Sequence, residues 1–273
     1  MSKILTKIFL VAGIFGLLCS FSGPVRAAGD ATASLTVSEI VAKANLAAYY
    51  AGKDGRATVK MVITDSQGRE RKREFNILRL DLEDGGRQMF YVYFKRPSDV
   101  KGMVFMVHKY IDKDDDRWLY LPALDLVKRI GASDKRTSFV GSDFFYEDVS
   151  GRGINEDEHT LFKTDDKFYI IDNLPKDPES VEFASYRIWI DKKTFIPIKA
   201  EYKDKQGELY RRVQALEIEE IEGHPTVLKS RVDNLAGGSF TISRFSKIKY
   251  DIGLKEKIFS ERYLRRPPRQ ARR

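Results

Sequence analysis

The spacing of apolar positions changes twice along the chain. Ile8 to Phe21 is an apolar run preceded by Lys3 and Lys7. Further on, Thr36-Val37-Ser38-Glu39 fits a capping box, with Leu35 and Ile40 placed as a hydrophobic staple, and Ile40, Val41, Ala44, Ala47 and Ala48 recur on one helical face. One amphipathic helix is predicted there. The period then drops to two. Ala57, Val59, Met61 and Ile63 alternate with mostly polar neighbours, turn at Asp65-Ser66-Gln67-Gly68, and return through Phe75 and Ile77. Gln88 to Phe94 is apolar on both faces, which predicts a strand covered on both sides. Further strands are expected at Met103 to His108, Trp118 to Leu121, Leu161 to Lys163, Phe168 to Ile171, Tyr186 to Ile190, Ile196 to Tyr202, Glu208 to Ile218, Thr226 to Val232 and Phe240 to Tyr250. Their connections carry the Asp, Lys and Gly chemistry of tight hairpins. The pattern predicts a mainly β (α+β) chain built as a sequential meander of about ten or eleven strands, too many for a flat sheet. An incomplete antiparallel β-barrel follows, with helices closing a hydrophobic cavity on its concave face.

The ends of the chain bear on where it works. The run from Ile8 to Phe21 is shorter than the ~20 residues that span a bilayer, and Val25-Arg26-Ala27 supplies small residues for cleavage. Residues 1–27 read as an export signal, with an uncleaved anchor or a lipid-modified Cys19 as the weaker alternatives. Cleavage leaves a domain at 28–264 with no cysteine, hence no thiol for a disulfide, a metal or a nucleophile. Without Lys3, Lys7 and Arg26 the formal +8 falls to +5, and much of that excess lies in RRPPRQARR. Residues 265–273 are predicted to be a disordered basic tail, either solvated or meeting an anionic bilayer through Arg265, Arg266, Arg269, Arg272 and Arg273. Export argues against nucleic acid as a partner.

The stretch TSFVGSDFFYED, residues 137–148, sets three consecutive aromatics behind a Gly-Ser-Asp turn. Gly141-Ser142-Asp143 has the composition of a helix start, which would put Phe144, Phe145 and Tyr146 in its first turns. Three adjacent rings point over a wide arc and need contact on more than one side. The segment is either a plug of the barrel or a lid over a cargo space.

Phe94-Lys95-Arg96-Pro97 with Lys101-Gly102, Arg117-Trp118-Leu119-Tyr120-Leu121-Pro122, Lys128-Arg129-Ile130, and Phe139-Val140-Gly141-Ser142-Asp143-Phe144 with Tyr146-Glu147-Asp148 resemble the outer-membrane lipoprotein-sorting protein family. Order and spacing match from Ile40 to Leu264. The resemblance implies a LolA-like half-barrel closed by helices around a hydrophobic cavity, working in the periplasm and binding acyl chains. Phe145 stands where a smaller hydroxylated residue is expected, and the arginine tail exceeds the family pattern.

Other chemistry is poorly supported. Asp112, Asp114 and Asp116 have the opening spacing of a calcium loop, but Arg117 replaces its glycine and Ala123 its closing glutamate. His108, His159 and His224 lack partners at zinc or triad spacing. Glu147, Asp148, Glu156, Asp157 and Glu158 include enough acids for a glycosidase pair, yet such a cluster beside Gly151-Arg152-Gly153 reads more simply as a solvated loop. The expectation is a monomeric, non-enzymatic carrier without metal or cofactor. Trp118, Tyr120, Phe139, Phe144, Phe145 and Tyr146 are expected at its acyl cavity or lid, and Lys128, Arg129 and Arg136 at the rim, facing head groups. Its expected partners are a lipid or lipoprotein cargo, an inner-membrane transporter and an outer-membrane acceptor. The alternative is a periplasmic module that senses lipid or lipoprotein and signals by protein contact.

Overall fold

The computed structural model describes residues 35–273, so the expected export signal at 1–27 lies outside the described residues. Helix α1 spans Val37–Tyr49 and starts as its sequence dictates. The Thr36 N–H donates to Glu39 Oε2 at 2.7 Å and the Glu39 N–H to Thr36 Oγ1 at 3.3 Å, closing the capping box. Ile40 and Ala44 are buried against Ile171 and Ile190, with Leu35 packed beside them.

Thirteen antiparallel strands form one open sheet. β1 (Asp54–Thr64), β2 (Glu70–Asp81), β3 (Gln88–Arg96), β4 (Val104–Lys109), β5 (Asp116–Leu121) and β6 (Leu126–Arg129) make a first meander. β7 (Asp157–Thr164), β8 (Phe168–Pro175), β9 (Phe183–Asp191), β10 (Pro197–Asp204), β11 (Leu209–Ile221), β12 (His224–Asn234) and β13 (Ser239–Tyr250) make a second. The two are joined where β1 pairs with β13, from Gly55 opposite Tyr250 to Thr64 opposite Phe240. First and last strands therefore lie at the centre, and the middle strands β6 and β7 are the free edges.

Two expectations are corrected here. The count exceeds ten or eleven, and β6 is a strand that its sequence conceals: LVKR is four residues long, charged, and exposed at Leu126, Lys128 and Arg129. The meander is also not sequential throughout. β6 and β7 are consecutive in the chain yet lie at opposite ends of the sheet, so the connection carrying residues 137–148 has to link both edges.

The first meander is covered on both faces, as the apolar run in β3 predicts. On one face Val59, Met61, Phe75, Phe94, Phe105 and Leu119 pack with Phe139 and Tyr146 from that connection. On the other, Leu78, Tyr91, Val104, Met106 and Trp118 pack under Leu254, Phe259, Leu264 and Ala271. Residues 265–273 are consequently not a disordered tail. They fold into the end of α3 (Arg262–Arg265) and α4 (Arg269–Arg272), with Leu264, Pro268 and Ala271 buried and the arginines outward. The Asn76 amide donates to the Ala271 carbonyl at 2.8 Å. The physical reason is the spacing of those three small or apolar residues, which gives a cationic segment one apolar face.

Candidate functional site

Period-two alternation gives the second meander an inward row of small and aliphatic side chains. Ile188, Ala200 and Val213 stand side by side across β9, β10 and β11. These residues, with Val41, Ala44 and Ala48 of α1 and Val59, Ile77 and Val92 of the first meander, line a cavity of about 500 Å³. Because strands from both meanders reach one cavity, the sheet curves around it, and α1 contributes its apolar face. The volume falls in the range of small-molecule and cofactor pockets, ~300–1,000 Å³. The wall is mostly apolar and suits hydrocarbon, with polar side chains such as Arg56, Glu147, Arg152, His159 and Asn173 also on it.

The connection between the edges closes the site. Phe139 is buried among Phe75, Phe94, Phe105 and Tyr146, with ring centroids 6.1, 5.8, 5.5 and 5.5 Å away. The chain then reverses at Val140 and Gly141, both at positive φ, 50° and 75°. A side chain at Gly141 would be strained by that backbone and would press on Arg71, whose Nη1 lies 3.3 Å from the Cβ position. Gly141-Ser142-Asp143 is thus a turn and not the helix start its composition predicts. Asp143 is already engaged by β13, where the Ser239 and Thr241 hydroxyls donate to it at 2.5 and 2.6 Å. α2 begins three residues later, at Tyr146–Ser150, because Asp148 accepts from the Phe145 N–H at 2.7 Å.

A network of mostly buried charges locks α2 to the second meander. Glu147, 2% exposed, meets Arg136 at 2.6 Å, Lys135 at 3.3 Å and Arg152 at 3.5 Å. Arg136 continues to Glu182 at 2.7 Å, and Arg152 to Asp157 at 2.9 Å, whose other oxygen accepts from the Tyr186 hydroxyl. Burial raises the Glu147 pKa, but the three cations outweigh it and hold the carboxyl below its ordinary range. The clustered acids are therefore a folded junction and not the solvated loop expected of them. The signal was present in the sequence: acids at 147, 148, 156 and 157 are matched by bases at 135, 136 and 152.

The residues expected at the cavity divide into groups. Phe139 and Phe144 line it. Tyr146 sits in the filled core against Phe105, at 5.1 Å between ring centroids. Phe145 turns away and lies over the guanidinium groups of Arg136 and Arg211, at 5.0 and 4.4 Å. Trp118 and Tyr120 point to the opposite face, because in the paired β4 and β5 it is Phe105 and Leu119 that face inward. Neither belongs to the cavity; they meet the C-terminal segment. Of the expected rim cations, Lys128 is exposed on β6 and Arg129 stacks over Trp118 at 4.7 Å while pairing with Asp116. Arg136 is buried and committed to acids, so it is not a head-group contact. Arg265 pairs with Asp125 at 2.8 Å, and Arg266, Arg269, Arg272 and Arg273 are exposed. In the hairpin read as an incomplete calcium loop, Asp115 is taken by Arg117 and Asp116 by Arg129. Sequence reasoning missed Ile188, Ala200, Val213 and Arg211, which look like ordinary strand residues until the register is known.

An open antiparallel sheet curved around an apolar cavity, with helices on its concave face, defines a LolA-like half-barrel. The family model described as "-like: Uncharacterized protein" matches residues 86–266. A DUF1329 family protein from Desulfovibrio piger is 30% identical, with 82% of this chain and 98% of that chain covered and a TM-score of 0.74. An outer membrane lipoprotein-sorting protein domain from Vibrio parahaemolyticus is 27% identical over 84% of this chain and 97% of that one, with a TM-score of 0.75. A LolA superfamily protein from Nitrosomonas europaea shares the fold at 19% identity, 84% and 100% coverage and a TM-score of 0.65. No curated protein matches. The chain belongs to the family of the DUF1329 protein, and it shares the LolA-like fold with the outer membrane lipoprotein-sorting domain.

Proposed function

We propose that this protein is a periplasmic carrier that takes acyl chains of a lipid or lipoprotein into the cavity between α1 and the sheet. In this reading it moves them between inner and outer membranes, with an inner-membrane transporter as donor and an outer-membrane acceptor. The observation that carries the reading is the apolar cavity of about 500 Å³ in a fold whose relatives include a lipoprotein-sorting domain. Each methylene removed from water contributes ~0.8 kcal/mol, so a partly buried chain is held firmly without any directional contact. Non-directional binding suits transport, since cargo can be withdrawn by a competing apolar surface, and it asks for no catalysis. The outward arginines of the C-terminal segment fit an approach to anionic head groups, each worth on the order of 1 kcal/mol near the surface. Native mass spectrometry of gently purified protein tests the reading: bound lipid or lipoprotein is expected, together with displacement by a fluorescent acyl probe. Uniformly empty protein that also ignores the probe would sink it.

A further inference from the structure

The inward rows of the second meander change character along the strands. The row Ile188, Ala200 and Val213 is apolar; the next inward row is Tyr186, Tyr202 and Arg211. Arg211 and Phe145 line a second chamber of about 480 Å³, whose wall also includes Arg71, Ser138, Ser142 and Ser239 and the carboxylates of Asp65 and Asp143. Arg211 is 2% exposed and gives one nitrogen, Nη2, to Asp148 at 2.5 Å. Among the described residues its Nε and Nη1 meet no hydrogen-bond partner. A guanidinium stays charged and only donates, so Arg211 has two donors that call for an acceptor. The two carboxylates of the chamber's own wall do not supply one. Asp143 is served by Ser239 and Thr241, and Asp65 by the Gln67 and Arg69 backbone and by Arg69 Nε at 2.7 Å. Arg71 adds a second guanidinium, anchored to the Gly141 carbonyl at 3.0 Å.

We propose that this chamber seats an anionic head group, a phosphate or a carboxylate, on Arg211 and Arg71, while the chains of the same amphiphile occupy the apolar cavity. The proposal rests on the carrier reading and narrows its cargo to acidic amphiphiles. Arg211 takes the role assigned by sequence to the rim cations, but from inside the sheet. Asp148 fixes Arg211 and caps α2 with the same oxygen, so head-group binding is coupled to the position of the segment between the two spaces.

The test compares dodecyl phosphate, dodecanoate and dodecanol, which share one chain length, on the full chain and on its Arg71→Gln and Arg211→Gln variants, with inorganic phosphate as competitor. The wild type is expected to bind at least one anion about tenfold or more tightly than the alcohol, as charge-assisted hydrogen bonds imply. Phosphate against carboxylate separates the two head-group sources, and inorganic phosphate should erode only the anion's advantage. Arg211→Gln should abolish that advantage and Arg71→Gln reduce it severalfold, with dodecanol affinity equal in all three proteins. An advantage absent from the wild type, or intact in both variants, overturns the head-group site while dodecanol binding leaves the carrier reading standing. Failure of every amphiphile to bind overturns both. Should Arg211→Gln not fold, the exposed Arg71→Gln decides alone, and an unchanged advantage there overturns the proposal.

Discussion

The two meanders use the same alternation to opposite ends. In the first, β3 and β4 are buried at most positions, because Phe94, Phe105 and Phe139 fill one face and the C-terminal segment covers the other. In the second, β10 is only half-buried at almost every position, and its inward Ala200 leaves space beside Ile188 and Val213. One half is a core and the other a trough. The difference comes from side-chain volume and from what the connecting segments place on the sheet, not from the topology, which is a plain antiparallel meander in both. The connection between the edges stands on the boundary: Tyr146 belongs to the core, Phe139 to the core and the cavity wall, and Phe144 and Val149 face the trough.

If that contrast is correct, damage to the core should show in stability and damage to the trough in binding. The largest effect is expected at Phe105, fully buried with rings on two sides. Phe105→Ala should lower unfolding free energy by about 4 kcal/mol, the loss of a buried ring plus its cavity. Acyl-probe affinity of the folded fraction should stay within about twofold. Next comes the junction. Glu147→Gln leaves Arg136, Lys135 and Arg152 around a neutral group and should remove roughly 3 kcal/mol. The pH dependence follows from the depressed Glu147 carboxyl. A carboxylate held below its unfolded value, near pH 4.3, contributes stability that is present above that pH and disappears as pH falls through the folded value. Denaturant midpoints should therefore drop below about pH 4 in the wild type, and less steeply in Glu147→Gln. Equal slopes in the two proteins would place the acid sensitivity elsewhere.

How far this division could be read beforehand depends on whether its causes are local. The α1 capping box, the alternation in β1 and the two-sided cover of β3 were legible, since each is set by residues within one element. The β1–β13 pairing was not, because it joins Gly55 to Tyr250 and either strand would pair equally well by pattern with its sequence neighbours. Of the six aromatics expected at the cavity, Phe139 and Phe144 line its wall. Trp118 and Tyr120 were misplaced because a strand apolar on both faces does not disclose which face is inward. Arg136 and Glu147 looked solvent-exposed for the opposite reason: charges declare their partners only when the fold brings 135–136, 147 and 152 together.

A smaller effect is expected from the C-terminal segment, which the contrast treats as the second cover of the core. A chain ending at Leu264 loses buried Pro268 and Ala271, and leaves the Asn76 amide without the Ala271 carbonyl. An unmet buried donor and a modest apolar area together come to about 2 kcal/mol. Chemical denaturation of the truncated protein should show that shift, with fluorescence of Trp118 reporting exposure of its face. Truncation without change in either would mean that the segment is held loosely and that the outward arginines matter more than the buried residues.

The smallest change in stability is expected where the contrast is sharpest, at Ala200. Its neighbours across the sheet are Ile188 and Val213, and all three line the trough. A large side chain forced into a filled core typically costs ~1–3 kcal/mol through strain. In a space that already exists, an indole instead meets wall atoms, so Ala200→Trp should move the unfolding free energy by less than about 1 kcal/mol in either direction. The same indole occupies volume that a chain would use. Excluding as few as two methylenes removes ~1.6 kcal/mol of burial, which is more than a tenfold loss of affinity for an acyl probe. Unfolding and probe titration on one preparation separate the outcomes. A protein destabilised by several kcal/mol that still binds the probe normally would mean that the second meander is packed as the first is, and that the chains lie somewhere other than between α1 and β9 to β11.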